Sequence, residues 1–173
     1  DERSGGVVLY TYDRGSRLIR KVDLANDQVT TITAKSAAGA VDGNFPNVQF
    51  RNVRDMVRNE SNLYMVDFVS GTIRKLDLEA NEATTIAGKD EDLVVRDGTL
   101  SAARFHSPRA MALGDARSDI VFFVAEYNRE VIRKVNLTQG SVTTVAGMTY
   151  STTDNDGYLP GATFDRPASL SVD

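Results

Sequence analysis

Apolar and polar residues alternate along this chain in short runs of period two, and no window carries a convincing period of 3.6. In the middle of the chain the runs are "RDMVR" (54–58), "NLYMVD" (62–67), "TIRKLDL" (72–78) and "EATTIAG" (82–88). They are rich in β-branched and aromatic residues and are separated by turn formers, which predicts four short antiparallel strands. The same reading over the rest of the chain predicts an all-β protein.

The pattern repeats. "IRKVDLANDQVTTI" at 19–32 returns as "IRKLDLEANEATTI" at 73 and "IRKVNLTQGSVTTV" at 132. From each Ile (Ile19, Ile73, Ile132) to its Thr-Thr pair is 11 residues, and from Asp42, Asp97 and Asp156 of three Asp-Gly pairs to Phe50, Phe105 and Phe164 is 8. Length varies only in the connecting stretches, so the repeated segments behave as rigid units. In the turn before Thr-Thr the equivalent positions hold Asp27, Asn81 and Gly140, the residue types that best tolerate positive φ, which predicts a left-handed residue there. The units run over about 6–53, 54–108 and 109–173 of a single domain, 1–173.

Four strands per unit, repeated at 40 to 60 residues, is the signature of β-propeller blades. The ordered set "NLYMVD", "IRKLDL", "TTIAG", "DG" and "ARFHSPRAMAL" resembles NHL-repeat β-propellers, in the long-repeat form of teneurin-like receptors and many microbial proteins. The resemblance covers essentially the whole chain. Two positions depart from it: Val53 stands where the other units have Pro108 and Pro167, and Glu126 stands where they have Asp. The expected fold is an NHL-type propeller segment of about three four-stranded blades.

Strand alternation puts Leu18, Arg20, Val22 and Leu24 on one face and Ile19, Lys21 and Asp23 on the other. An arginine on a face that packs against a neighbouring blade needs a partner, because an unpaired buried charge costs several kcal/mol. An acid precedes it by seven residues each time, predicting three structural ion pairs: Asp13 with Arg20, Asp67 with Arg74, Glu126 with Arg133. Tyr10, Tyr64 and Phe123 share one position and read as core between blades.

Composition narrows the function. A net charge of −4 argues against broad attraction to nucleic acid, leaving Arg51, Arg54, Arg58, Arg104 and Arg109 as the one candidate patch for single-stranded RNA. No apolar run reaches the ~18 residues that span a bilayer and no targeting segment is visible, so the chain reads as soluble, its compartment open. It opens on Asp1 instead of Met, as a processed chain or a piece of a longer one does. There is no cysteine and one histidine, His106, with no nucleophile elbow near it. Hydrolases and lyases on propellers resembling this family assemble a metal from several His and acidic residues, which this chain would have to draw from elsewhere. "DNDG" at 154–157 has carboxylate alternation suited to calcium, but Asp-Gly recurs in all units as a turn. "KDEDL" (89–93) reads as a solvated loop, and the sequons at Asn59 and Asn136 do not decide location.

No catalytic, cofactor or metal residue is therefore assigned. The expected function is a non-enzymatic scaffold that binds another protein through its variable loops. Three blades do not close a ring. Either more of the same chain completes it or a homodimer does, with Pro167–Asp173 of one copy beside Gly6–Asp13 of the other.

Overall fold

A computed structural model of the chain describes residues 6–33, 37–45, 47–114, 119–151, 153–159 and 161–173. Thirteen strands and no helix occur among them. They are β1 (Val8–Asp13), β2 (Leu18–Asp23), β3 (Gln28–Thr31), β4 (Gly43–Asn44), β5 (Val53–Asn59), β6 (Asn62–Asp67), β7 (Thr72–Asp77), β8 (Glu82–Gly88), β9 (Gly98–Thr99), β10 (Pro108–Gly114), β11 (Val121–Glu126), β12 (Val131–Asn136) and β13 (Ser141–Gly147). Among the described residues no helix is long and apolar enough to cross a membrane.

The strands form three antiparallel sheets, ordered β1-β2-β3, β4-β8-β7-β6-β5 and β10-β11-β12-β13-β9. The four runs predicted between 54 and 88 are β5 to β8, each displaced at its ends by no more than a residue. Four strands per unit were expected. The two larger sheets gain a fifth from the Gly of the preceding Asp-Gly pair and the residue after it, which run antiparallel to the outermost strand: Gly43 opposite Ala83 and Gly98 opposite Val142. Residues 167–173, read as a first strand, have no strand partner among the described residues. The arc of sheets does not close.

Period two explains how the sheets stack. In the middle sheet Leu63, Met65, Leu76 and Ala83 share one face and pack with Ile19, Val48, Phe50 and Val53. Tyr64, Val66, Ile73 and Ala87 share the other and pack with Phe105, Met111, Phe122, Val124 and Val135. Both faces of the middle sheet are therefore core, whereas each end sheet is buried on one side. Of the three equivalent aromatics, Tyr64 is buried and stacks on Phe122 with centroids 4.6 Å apart; Tyr10 and Phe123 are half-buried.

The predicted left-handed turn is present in all three units, with φ of 51° at Asp27, 56° at Asn81 and 68° at Gly140. Asn81→Ala is expected to lose about 1–2 kcal/mol, because Cβ crowds the carbonyl there without a compensating amide. Asn81→Gly should lose nothing, and urea titration of the two variants measures the difference. The Asp-Gly pairs have the same logic: Gly43 and Gly98 sit at φ 141° and 146°, a region side chains avoid.

Candidate functional site

The aspartate of each Asp-Gly pair does more than start a turn. Asp42 accepts hydrogen bonds from the Thr85 amide (2.9 Å) and hydroxyl (3.0 Å) and lies 2.8 Å from the Arg74 guanidinium. Asp97 repeats this with the Thr144 amide (3.0 Å), the Thr144 hydroxyl (3.0 Å) and Arg133 (2.8 Å). Each clasp joins a loop of one unit to the outer strands of the next. The guanidinium lies under a phenylalanine from the same loop, 5.1 Å from the Phe50 ring for Arg74 and 5.1 Å from the Phe105 ring for Arg133.

These clasps change the expected ion pairs. Asp13 and Arg20 lie 3.4 Å apart, both partly exposed, since the face that carries them meets no other sheet. Glu126 and Arg133 are in direct contact with neither side chain exposed. Asp67 and Arg74, however, form no ion pair. Asp67 accepts the amides of Arg51 (2.7 Å) and Asn52 (2.9 Å), while Arg74 turns to Asp42 and to the carbonyls of Gln49 (3.0 Å) and Val41 (2.9 Å). Competing partners supply the reason. Arg74 faces Met65 and Asp67 faces Thr72, so the two are diagonal across the hairpin, as Asp13 and Arg20 are. The stronger rivals decide: backbone amides take the Asp67 carboxylate, and Asp42 with two carbonyls takes the Arg74 guanidinium.

The arginine patch divides in two. Arg51 is held by Asp90 and Glu91 (2.9 Å each) and Arg104 by Asp92 (2.6 Å), so the "KDEDL" loop is an ion-pairing loop. Arg58 donates to the Glu60 carbonyl at the far end of β5. Arg54 and Arg109 remain, and among the described residues neither has a carboxylate within 4 Å. Each begins an innermost strand and lies over an aromatic ring from the turn after the next strand. Arg54 is 4.9 Å from the Phe68 centroid, Arg109 is 4.6 Å from that of Tyr127, and the two rings are 6.5 Å apart. Burial, then the charges of Arg14 and Arg109, lower the Arg54 pKa. Arg14 stands at the position of Phe68 and Tyr127 in the first unit. The result is a positive, aromatic rim across the ends of three sheets.

The structure is similar to solved structures of other proteins. A protein of unknown function from Bacteroides thetaiotaomicron aligns with a TM-score of 0.77 at 22% identity over 96% of this chain and 39% of its own. An auxiliary nutrient binding protein of the same organism gives 0.71 at 20%, covering 96% and 40%. Streptogramin B lyase gives 0.58 at 10%, covering 95% and 41%. The fold is β-propeller-like. The chain spans about two fifths of the length of these structures. No family model and no curated protein matches it.

His106 lies beside this rim. Its amide donates to Glu126 (2.6 Å), and its ring pKa is lowered by burial and then by Arg129, which keeps the imidazole neutral at pH 7. Among the described residues no three His, Asp or Glu side chains are grouped to hold a metal ion, Asp154 and Asp156 included. Of the two sequons, Asn136 ends β12 and is buried: its side-chain amide donates to Asp119 (2.9 Å) and its side-chain carbonyl accepts from the Gln139 amide (2.8 Å), so it anchors the turn that follows. The rim aromatics escaped the sequence reading. Their signal was the position directly after each strand-ending acid, occupied by Arg14, Phe68 and Tyr127.

Proposed function

We propose that the chain is a non-catalytic binding module of an NHL-type propeller, whose arginine-aromatic rim takes a carboxylate-bearing segment of a partner protein. The observation that carries this reading is the separation of the arginines. Arg51, Arg74, Arg104 and Arg133 are each held by a carboxylate, whereas Arg54 and Arg109 are held only by the faces of Phe68 and Tyr127. A guanidinium seated on a ring keeps its in-plane N–H donors free, and those donors match a carboxylate bidentately. That two similar structures are auxiliary nutrient binding proteins supports a binding role.

Single-stranded RNA fits the rim less well, since stacking needs open aromatic faces and here guanidiniums cover them. A metal-dependent lyase or hydrolase would need ligands from outside the described residues.

Fluorescence anisotropy with a labelled Glu-rich dodecapeptide tests the reading. The pair Arg54→Ala and Arg109→Ala together should weaken binding about tenfold or more, since a hydrogen bond to a charged group contributes about 1.5–3 kcal/mol. Arg51→Ala should leave it unchanged. Equal binding by all forms removes the proposal, and tighter binding of a labelled oligo(U) with a steep salt dependence would replace it with the RNA reading.

A further inference from the structure

The clasp recurs twice within the chain, and both halves of a third are present without their partners. On the donor side, Asp42, Gly43, Phe45, Val48 and Phe50 correspond at identical spacing to Asp97, Gly98, Leu100, Ala103 and Phe105, and again to Asp156, Gly157, Leu159, Ala162 and Phe164. In the first two copies this wedge lies on the next sheet, with Val48, Phe50, Ala103 and Phe105 completely buried. Among the described residues no sheet covers the third, and Leu159 is 66% exposed.

On the acceptor side, Arg20 and Thr31 occupy the positions of Arg74 with Thr85 and of Arg133 with Thr144. The first two wedges also donate a backbone hydrogen bond to the left-handed turn: Phe45 N–H to the Asn81 carbonyl (2.9 Å) and Leu100 N–H to that of Gly140 (3.0 Å). Asp27 offers the third such carbonyl at the same φ. The adjoining strand β3 is exposed along its whole length, and Leu9 and Val29 stand out from the uncovered face at 49% and 52%.

A second vacancy matches in the same way. β5 and β10 lie side by side, joined by the Met111 amide donating to Asp55 (2.9 Å). Among the described residues the first sheet has no such strand beside β1. In its place is a cleft of about 250 Å³ between Tyr10–Tyr12 of β1 and Val53–Met56 of β5. Residues 167–173 are equivalent to β5 and β10 from Val53 and Pro108 onward, and they form no strand among the described residues.

We propose that the first sheet is the docking site for the C-terminal segment of a second copy of this chain, with Asp156 clasped by Arg20 and Thr31 and with residues 167–173 seated as the strand beside β1. The charges are complementary, the hydrogen-bonding groups are those used twice already, and each copy carries one wedge and one acceptor. Two copies related by a two-fold axis therefore each present the half that the other's clasp needs. The cleft is accordingly a strand seat and not a ligand pocket.

Light scattering on the chain between 1 and 100 μM tests this, with a mass of twice 18.9 kDa expected. Asp156→Arg alone and Arg20→Asp alone should each weaken the dimer at least tenfold, while the double variant, which exchanges the charges, should regain it. Both positions are at least partly exposed, so circular dichroism should report an unchanged β fold in all three. A monomer over the whole range, a dimer indifferent to Asp156→Arg, or a double variant no better than the singles overturns the proposal.

Discussion

Arg133→Ala is expected to lose about 3–5 kcal/mol of stability, the range found when one partner of a buried ion pair is removed. Arg133 has no exposed side-chain surface and holds two carboxylates, Glu126 and Asp97, and two carbonyls, those of Arg96 and Arg104. Truncation leaves Glu126 buried without the guanidinium that contacts it. The same substitution at the equivalent positions grades the effect by environment. Arg74 is as buried but its one carboxylate, Asp42, is about half exposed and can return to water, so Arg74→Ala should lose about 2–3 kcal/mol, chiefly from orphaned carbonyls. Arg20→Ala removes a partly exposed pair and should change the fold's own stability by under about 1 kcal/mol. Urea titrations at fixed protein concentration give the three values. An equal loss at all three sites, or the reverse order, would show that burial does not set the strength of these contacts.

Stability should also fall as pH rises from about 4.5 to 7, and Glu126→Gln should flatten that slope. Burial pushes the Glu126 carboxyl up to about 7 against the pull of the Arg133 guanidinium and the His106 amide. A folded pKa above the unfolded value of 4.5 means that the native state holds this proton more tightly. The group's contribution is therefore fully present below 4.5, declines through the window and is gone above 7, a change on the order of 3 kcal/mol. His106 acts in the opposite sense: its lowered pKa gives stability that is present above 6.5 and lost as pH falls through its folded value. The carboxyls of Asp23, Asp77 and Asp92 are shifted down from 3.8 and titrate below the window. Subtracting the Glu126→Gln profile between pH 4.5 and 8 isolates the glutamate. A difference that is flat across the window, or one that rises with pH, would place the proton elsewhere.

The sequence was most legible where the cause is local. Strand positions follow from period two, and the left-handed turn could be read from Asp27, Asn81 and Gly140 because only a few residue types accept that φ. The ion pairs were legible only in part, because an acid and an arginine seven residues apart do lie on one face but diagonally. Whether they touch depends on rivals for each side chain, carboxylates from the preceding unit and nearby backbone amides. Arg74 illustrates this: its partner Asp42 is 32 residues away, on a loop whose length varies, so no fixed spacing announces the pair. The Thr-Thr pairs recurred for the same hidden reason. Their second member, Thr85 or Thr144, binds the Asp-Gly aspartate of the unit before. The rim formed by Arg54, Phe68, Arg109 and Tyr127 was invisible as a group because it is assembled from two neighbouring sheets.

Because the clasping aspartate always arrives on the residues ahead of the sheet it serves, every joint in the arc is built from the same two half-fittings. Duplicating or deleting one repeat, cut at any phase, leaves a matching half on either side of the splice. Such a chain can change its number of blades over evolution without inventing a new contact surface.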